Sequence, residues 1–181
     1  MSEHKYPAIQ RGLHWVIALM VLGTLAVGML LGWLGYGGVV KSFGQDMTNM
    51  LYKYHKTFGV IILFAMIIRI IVKIRMGKPP YANPLTSFEK AASGAVHGLL
   101  YVCLLAMPIL GWLATSAGGY PVEFFNWTLP NPISKDKELS ETLYWLHGAV
   151  GWMTAALVAA HIGAALMHGI VKRDGVLQRM L

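Results

Sequence analysis

Residues 142–171 read TLYWLHGAVGWMTAALVAAHIGAALMHGIV, a run free of acidic and basic side chains apart from His147, His161 and His168. A helix crosses a bilayer core with about 20 apolar residues, so the run spans one with length to spare. An imidazole inside such a helix is costly unless something ligates or hydrogen-bonds it. His147 and His161 lie 14 residues apart, which is roughly 21 Å along a helix axis. That leaves room for two cofactors stacked along one helix.

Outward from this run, further charge-free stretches extend from Gly12 to Val40 and from Ala91 to Val122. A fourth apolar stretch, near Leu51 to Ile74, begins with Lys53 and Lys56 and carries Arg69 and Lys73 toward its other end. Lysines near helix ends reach the headgroups, so this stretch also reads as a span. The sequence therefore predicts an all-α fold, an integral membrane four-helix bundle. It reads as a single domain over residues 1–181, with spans at about 12–36, 51–74, 92–116 and 142–170. A composition of 56% hydrophobic and 13% charged residues agrees. The first run is too long for the apolar region of a signal peptide and is kept as a mature helix. Cys103 is the single cysteine, so there is no internal disulfide and no C-x-x-C-H for covalent haem attachment.

Basic residues set the orientation. One side collects Lys5, Arg11, Lys73, Arg75, Lys78, Lys90, Lys172, Arg173 and Arg179; the other holds Lys41, Lys53, Lys56, Lys135 and Lys137. Both termini are therefore expected in the cytoplasm. This bias and attraction to anionic lipid headgroups account for the net charge of +7, and no nucleic-acid partner is needed. The links are a glycine-rich turn at Gly35 to Gly38, a proline-stiffened cytoplasmic segment Met76 to Ser87, and a long outward link from about Gly118 to Glu141. Thr86 and Glu89 stand at capping-box spacing before the third helix. Phe124, Phe125 and Trp127 in the outward link suit an aromatic belt at the membrane surface or a docking surface.

Depth sorts the histidines. His55 opens the second helix and His147 the fourth, so both belong near the periplasmic face and form a natural axial pair. His14, His97, His161 and His168 lie toward the cytoplasmic face, where depth alone does not choose among them. A porphyrin lying against a helix needs a small neighbour on the ligand's face, one turn on at i+4. Those residues are Ala18 after His14, Gly59 after His55, Gly151 after His147 and Ala165 after His161, against Tyr101 after His97 and Lys172 after His168. This supports His14 with His161 and His55 with His147.

A lone buried histidine is ordinarily a neutral imidazole bonded to a neighbouring helix, but four at two matched depths point to ligation. Imidazole suits iron, zinc or copper. No Asp or Glu falls inside the four spans, whereas a metal-transport path would recruit carboxylates. Bis-imidazole haem needs none, and iron with both axial positions filled transfers electrons rather than binding oxygen. Arg69, 14 residues beyond His55, reaches the depth of the cytoplasmic site, where a haem propionate would satisfy it; the alternative is contact with headgroups. His97 and His168 suit a quinone or a propionate, or simple structural bonding.

The chain resembles the bacterial cytochrome b561 family, four-helix dihaem membrane proteins similar to the cytochrome b subunits of hydrogenases and formate dehydrogenases. The resemblance rests on Arg11-Gly12-Leu13-His14-Trp15, on His55 opening the second helix, on His97 in the third, and on His147 and His161 with His168 seven residues later. It implies two non-covalent haem b groups, the cytoplasmic one on His14 and His161 and the periplasmic one on His55 and His147. It also implies a bacterial inner-membrane location and a site for ubiquinone as substrate at the cytoplasmic end, near His168 and His97. Electrons would pass between quinone and superoxide or a periplasmic redox protein, making the chain an oxidoreductase of the superoxide oxidase or quinone reductase type. Lys53 and Lys56, flanking His55, are candidates to guide a small anion. The alternatives are a carrier subunit for a separate dehydrogenase or periplasmic protein, and a haem-free, histidine-lined metal transporter. The oligomeric state stays open, a homodimer included.

Overall fold

The computed structural model describes residues 4–181. Four long helices follow in order: α1 (Ala8–Phe43), α2 (Gln45–Met76), α3 (Ser87–Ala117) and α4 (Lys137–Leu166), the last continued by a π-helical turn over Met167–Lys172. All four are long and apolar enough to cross a membrane. α1 packs chiefly on α2 and α3 on α4, with α2 against α3 closing the bundle and α1 against α4 meeting only sparsely.

The expected turn at Gly35 to Gly38 is instead a kink. Gly35 takes φ 63°, and helix resumes as far as Phe43, because only a residue without Cβ enters that region cheaply. Gly44, at φ 81°, makes the whole connection between α1 and α2. At the start of α3 the capping box is present: Glu89 N–H donates to Thr86 Oγ1 at 3.2 Å, and Thr86 N–H donates to Glu89 Oε2 at 2.8 Å. α4 begins five residues earlier than Thr142, where Asp136 accepts from Leu139 N–H at 3.0 Å and caps it.

The outward link is structured. Val122–Phe124 (β1) and Trp127–Leu129 (β2) form an antiparallel hairpin that lies on α2. Thr57, fully buried, fastens it by donating to Glu123 O and accepting from Phe125 N–H, each at 3.3 Å. Lys56 adds an ion pair with Glu123 at 2.8 Å and a bond to Pro121 O at 3.0 Å. The opposite end of the bundle carries both chain ends. There Tyr6 N–H donates to Arg179 O at 3.0 Å and Trp15 Nε1–H to Met180 O at 2.8 Å, so the last residues fold back across the start of α1.

An apolar cluster of Ile17, Val21, Ile62 and Met66 fills the middle of the bundle, with Tyr101, Leu104 and Val158 packed against it. A second, of Ala114, Ala117 and Leu143, joins α3 to α4 near the hairpin end, where Ser140 Oγ donates to Ala114 O at 2.9 Å.

Candidate functional site

Two imidazole pairs stand at the two ends of the central apolar cluster. Near the hairpin, His55 of α2 faces His147 of α4 with ring centroids 6.1 Å apart. Near the chain ends, His14 of α1 faces His161 of α4, also at 6.1 Å. A metal between two imidazoles needs a centroid separation of about 6 Å, from a bond of about 2 Å and about 1 Å from nitrogen to ring centre on each side. Both pairs meet that spacing. His97 of α3 also approaches His161, but at 5.0 Å, too close for an ion on the straight line between the two rings. The four predicted ligands are thus brought together as two pairs, and His97 stands beside the second.

His14 is the seventh residue of α1, whereas α4 continues well past His161. The two meet because the far end of α4 overshoots the start of α1. Beyond it, Arg173 at φ 53° and Gly175 at φ 87° turn the chain back over that end.

The surroundings of the hairpin-end pair fit a flat prosthetic group. A Cβ on Gly28 of α1 would lie 2.8 Å from His55 Cε1, and one on Gly111 of α3 would lie 3.1 Å from His147 Cε1. These two glycines, on the helices that flank the pair, give the rings their space. His147 Nδ1 donates to Met107 O at 3.0 Å, and since a carbonyl only accepts, Nε2 is left bare for a metal. His55 Nδ1 is buried and makes no well-aligned hydrogen bond among the described residues, the backbone of Thr24 standing nearest to it.

At the other pair, Arg69 donates to Gln10 O at 3.2 Å, and its guanidinium lies 3.3 Å from His14 Nδ1. It pairs with no carboxylate among the described residues. A guanidinium at this depth with only neutral acceptors favours an anion from outside the chain, and a haem propionate has the right charge and planarity. His97 is exposed and donates from Nδ1 to Ser93 O at 2.6 Å. No three His, Cys, Asp or Glu side chains converge to hold a metal ion among the described residues. A donor set of paired imidazoles would suit a haem iron.

His168 lies apart from both pairs, buried in the π-helical turn, with Nδ1 2.6 Å from Asp174 Oδ2. Partial burial pushes the Asp174 carboxyl up, but hydrogen bonds from His168 and from Val176 N–H outweigh it and hold the group below the usual aspartate range. Asp174 and the glycines Gly28 and Gly111 were not singled out by sequence patterns, because each acts on a residue of another helix or across a turn. Lys56, read as a guide for a small anion, is neutralised by Glu123; Lys53 makes no ion pair among the described residues.

Residues 5–181 match the family model described as prokaryotic cytochrome b561. Among curated proteins, cytochrome b561 homolog 2 of Escherichia coli K12 is 28% identical over 99% of this chain and 93% of its own length. Cytochrome b561 homolog 1 of the same strain is 26% identical over 98% of this chain and 97% of its own length. The probable superoxide oxidase CybB of Yersinia pestis is 27% identical over 98% and 96% respectively.

Proposed function

The chain belongs to the prokaryotic cytochrome b561 family, and from that membership we propose that it is a dihaem cytochrome b of the bacterial inner membrane. It passes electrons between the quinone pool and a donor or acceptor in the periplasm, with both chain termini in the cytoplasm. The observation that carries this reading is the pair of imidazole couples, each at 6.1 Å, at opposite ends of one apolar interior. Haem b, the cofactor that membership implies, supplies one-electron transfer when held by two imidazoles.

The chain's own residues do the rest. His55 and His147 hold the periplasmic haem, and His14 and His161 the cytoplasmic one. Gly28 and Gly111 keep the first site open, while Arg69 meets a propionate at the second. Ile17, Val21, Ile62 and Met66 keep the interval between them dry, which excludes stray protons and sets the medium for tunnelling. His168 and His97 flank the cytoplasmic site, where quinone must take up protons once reduced, and imidazole is the side chain suited to carry them.

Superoxide is the donor favoured by similarity to the Yersinia protein named as a probable superoxide oxidase. With Lys56 paired to Glu123, attraction of a small anion toward His55 falls to Lys53. Purified holoprotein in proteoliposomes tests the reading. Enzymatically generated superoxide is expected to reduce its haems, and a ubiquinone analogue to reoxidise them. Saturable reduction by a periplasmic protein, with none by superoxide, would favour the carrier-subunit reading. Haems that a ubiquinone analogue leaves reduced would end the quinone half of the proposal.

A further inference from the structure

The end of α4 holds an acid–base pair, a buried histidine and a partly buried aspartate, that lies outside both imidazole couples. His168 is 8% exposed and sits seven residues past His161, two turns and roughly 10 Å along the helix. Its Nδ1 donates to Asp174 Oδ2 at 2.6 Å. The carboxylate is itself fixed: its other oxygen accepts from Val176 N–H at 3.2 Å, and the Asp174 carbonyl accepts from Asn83 Nδ2 at 3.0 Å. Asn83 belongs to the link between α2 and α3, so the clamp ties three parts of the chain together.

The backbone is shaped for this contact. Met167–Lys172 is π-helical, a widened turn that is rare and frequent at functional sites. Arg173 at φ 53° then swings Asp174 back under His168. Leu177 packs against Gly169, where a Cβ would come within 2.4 Å of its Cδ2. The neighbouring charges are engaged elsewhere: Lys172 pairs with Glu89, and Arg173 Nε donates to Ile170 O at 3.1 Å. Asp174 is thus the acid placed to serve His168, whose Nε2 makes no hydrogen bond among the described residues.

We propose that Asp174 is a positioning residue for quinone reduction, holding His168 so that its Nε2 delivers protons to the quinone oxygens. The inference rests on the quinone reading above. With haem held by His14 and His161, a quinone at this end would gain two electrons, and two protons would convert its two oxygens to hydroxyls. Each proton leaves His168 Nε2 and is replaced from cytoplasmic water, while Asp174 remains a carboxylate bonded to Nδ1–H throughout. A fixed carboxylate on Nδ1 sets ring orientation and tautomer, and losing such a partner lowers turnover without emptying the binding site.

The test uses holoprotein in proteoliposomes with a ubiquinone analogue, comparing parent, Asp174→Asn, His168→Gln and the double variant. Asp174→Asn is expected to keep both haem signals and the rate of haem reduction. Its kcat for quinone reduction should fall by about 10- to 100-fold with KM within about twofold, and a larger solvent deuterium isotope effect should appear. In the His168→Gln background the second change should add nothing, whereas a purely structural role for Asp174 would add its own loss. A parent that reduces quinone beside an Asp174→Asn variant with unchanged kcat and isotope effect would overturn this inference alone. A parent whose haems quinone cannot reoxidise would overturn it together with the quinone reading.

Discussion

Among the histidines, a difference of about one ångström separates partner from neighbour. His14 and His97 both approach His161, but at 6.1 Å and 5.0 Å, and only the longer spacing admits a metal in line between the two rings. His97→Ala is therefore expected to retain both haems, and His14→Ala to lose one, as read by haem content per protein. Gly28→Leu should exclude the periplasmic haem, since a Cβ there already crowds His55; its spectrum would match that of His55→Ala. Asp174 has a pH consequence. Its carboxyl lies below the ordinary value of 3.8, so its contribution to stability is complete above that value and disappears as pH falls through the lower, folded-state one. Acid unfolding of Asp174→Asn and parent should differ at neutral pH and converge in strong acid. The two imidazole pairs were readable because histidine is so rarely tolerated in an apolar helix, and depth together with the small i+4 residues grouped His14 with His161 and His55 with His147. The supporting residues were not, because Gly28 meets His55 and Asn83 meets Asp174 only after the helices pack.

At the level of elements, apolar run length located all four helices, because a bilayer fixes the length of a span. It said less about their ends, which polar caps and the kink at Gly35 decide. The hairpin was missed for a physical reason: its strands have three residues each, too short for an alternating pattern, and α2 holds it in place. Thr57 is central to that attachment, making two hydrogen bonds while fully buried. Thr57→Val should leave Phe125 N–H unpaired and cost about 1–3 kcal/mol. Thermal unfolding in detergent would show the loss.

For the whole molecule, the bundle is closed differently at its two ends: by the hairpin at one and by the returning chain at the other. Arg179 anchors the second closure. It is buried, lies 3.9 Å from the Tyr81 ring centroid and 5.0 Å from that of Tyr6, and donates to the carbonyls of His4 and Pro79. No local pattern marks an arginine for burial, since its partners come from both distant segments of the chain. Arg179→Ala should lower the unfolding temperature by several degrees, in keeping with about 1–3 kcal/mol from lost charge-assisted bonds, while both haems remain bound at low temperature.

The central claim is that four histidines hold two haems, and a reduced-minus-oxidised visible spectrum with haem-to-protein stoichiometry tests it most directly. Parent, His161→Ala and His168→Ala would be compared side by side. Two b-type haems in the parent, one lost in His161→Ala and none in His168→Ala, is the predicted result. A haem lost only in His168→Ala, or a parent that takes up no haem, would contradict it.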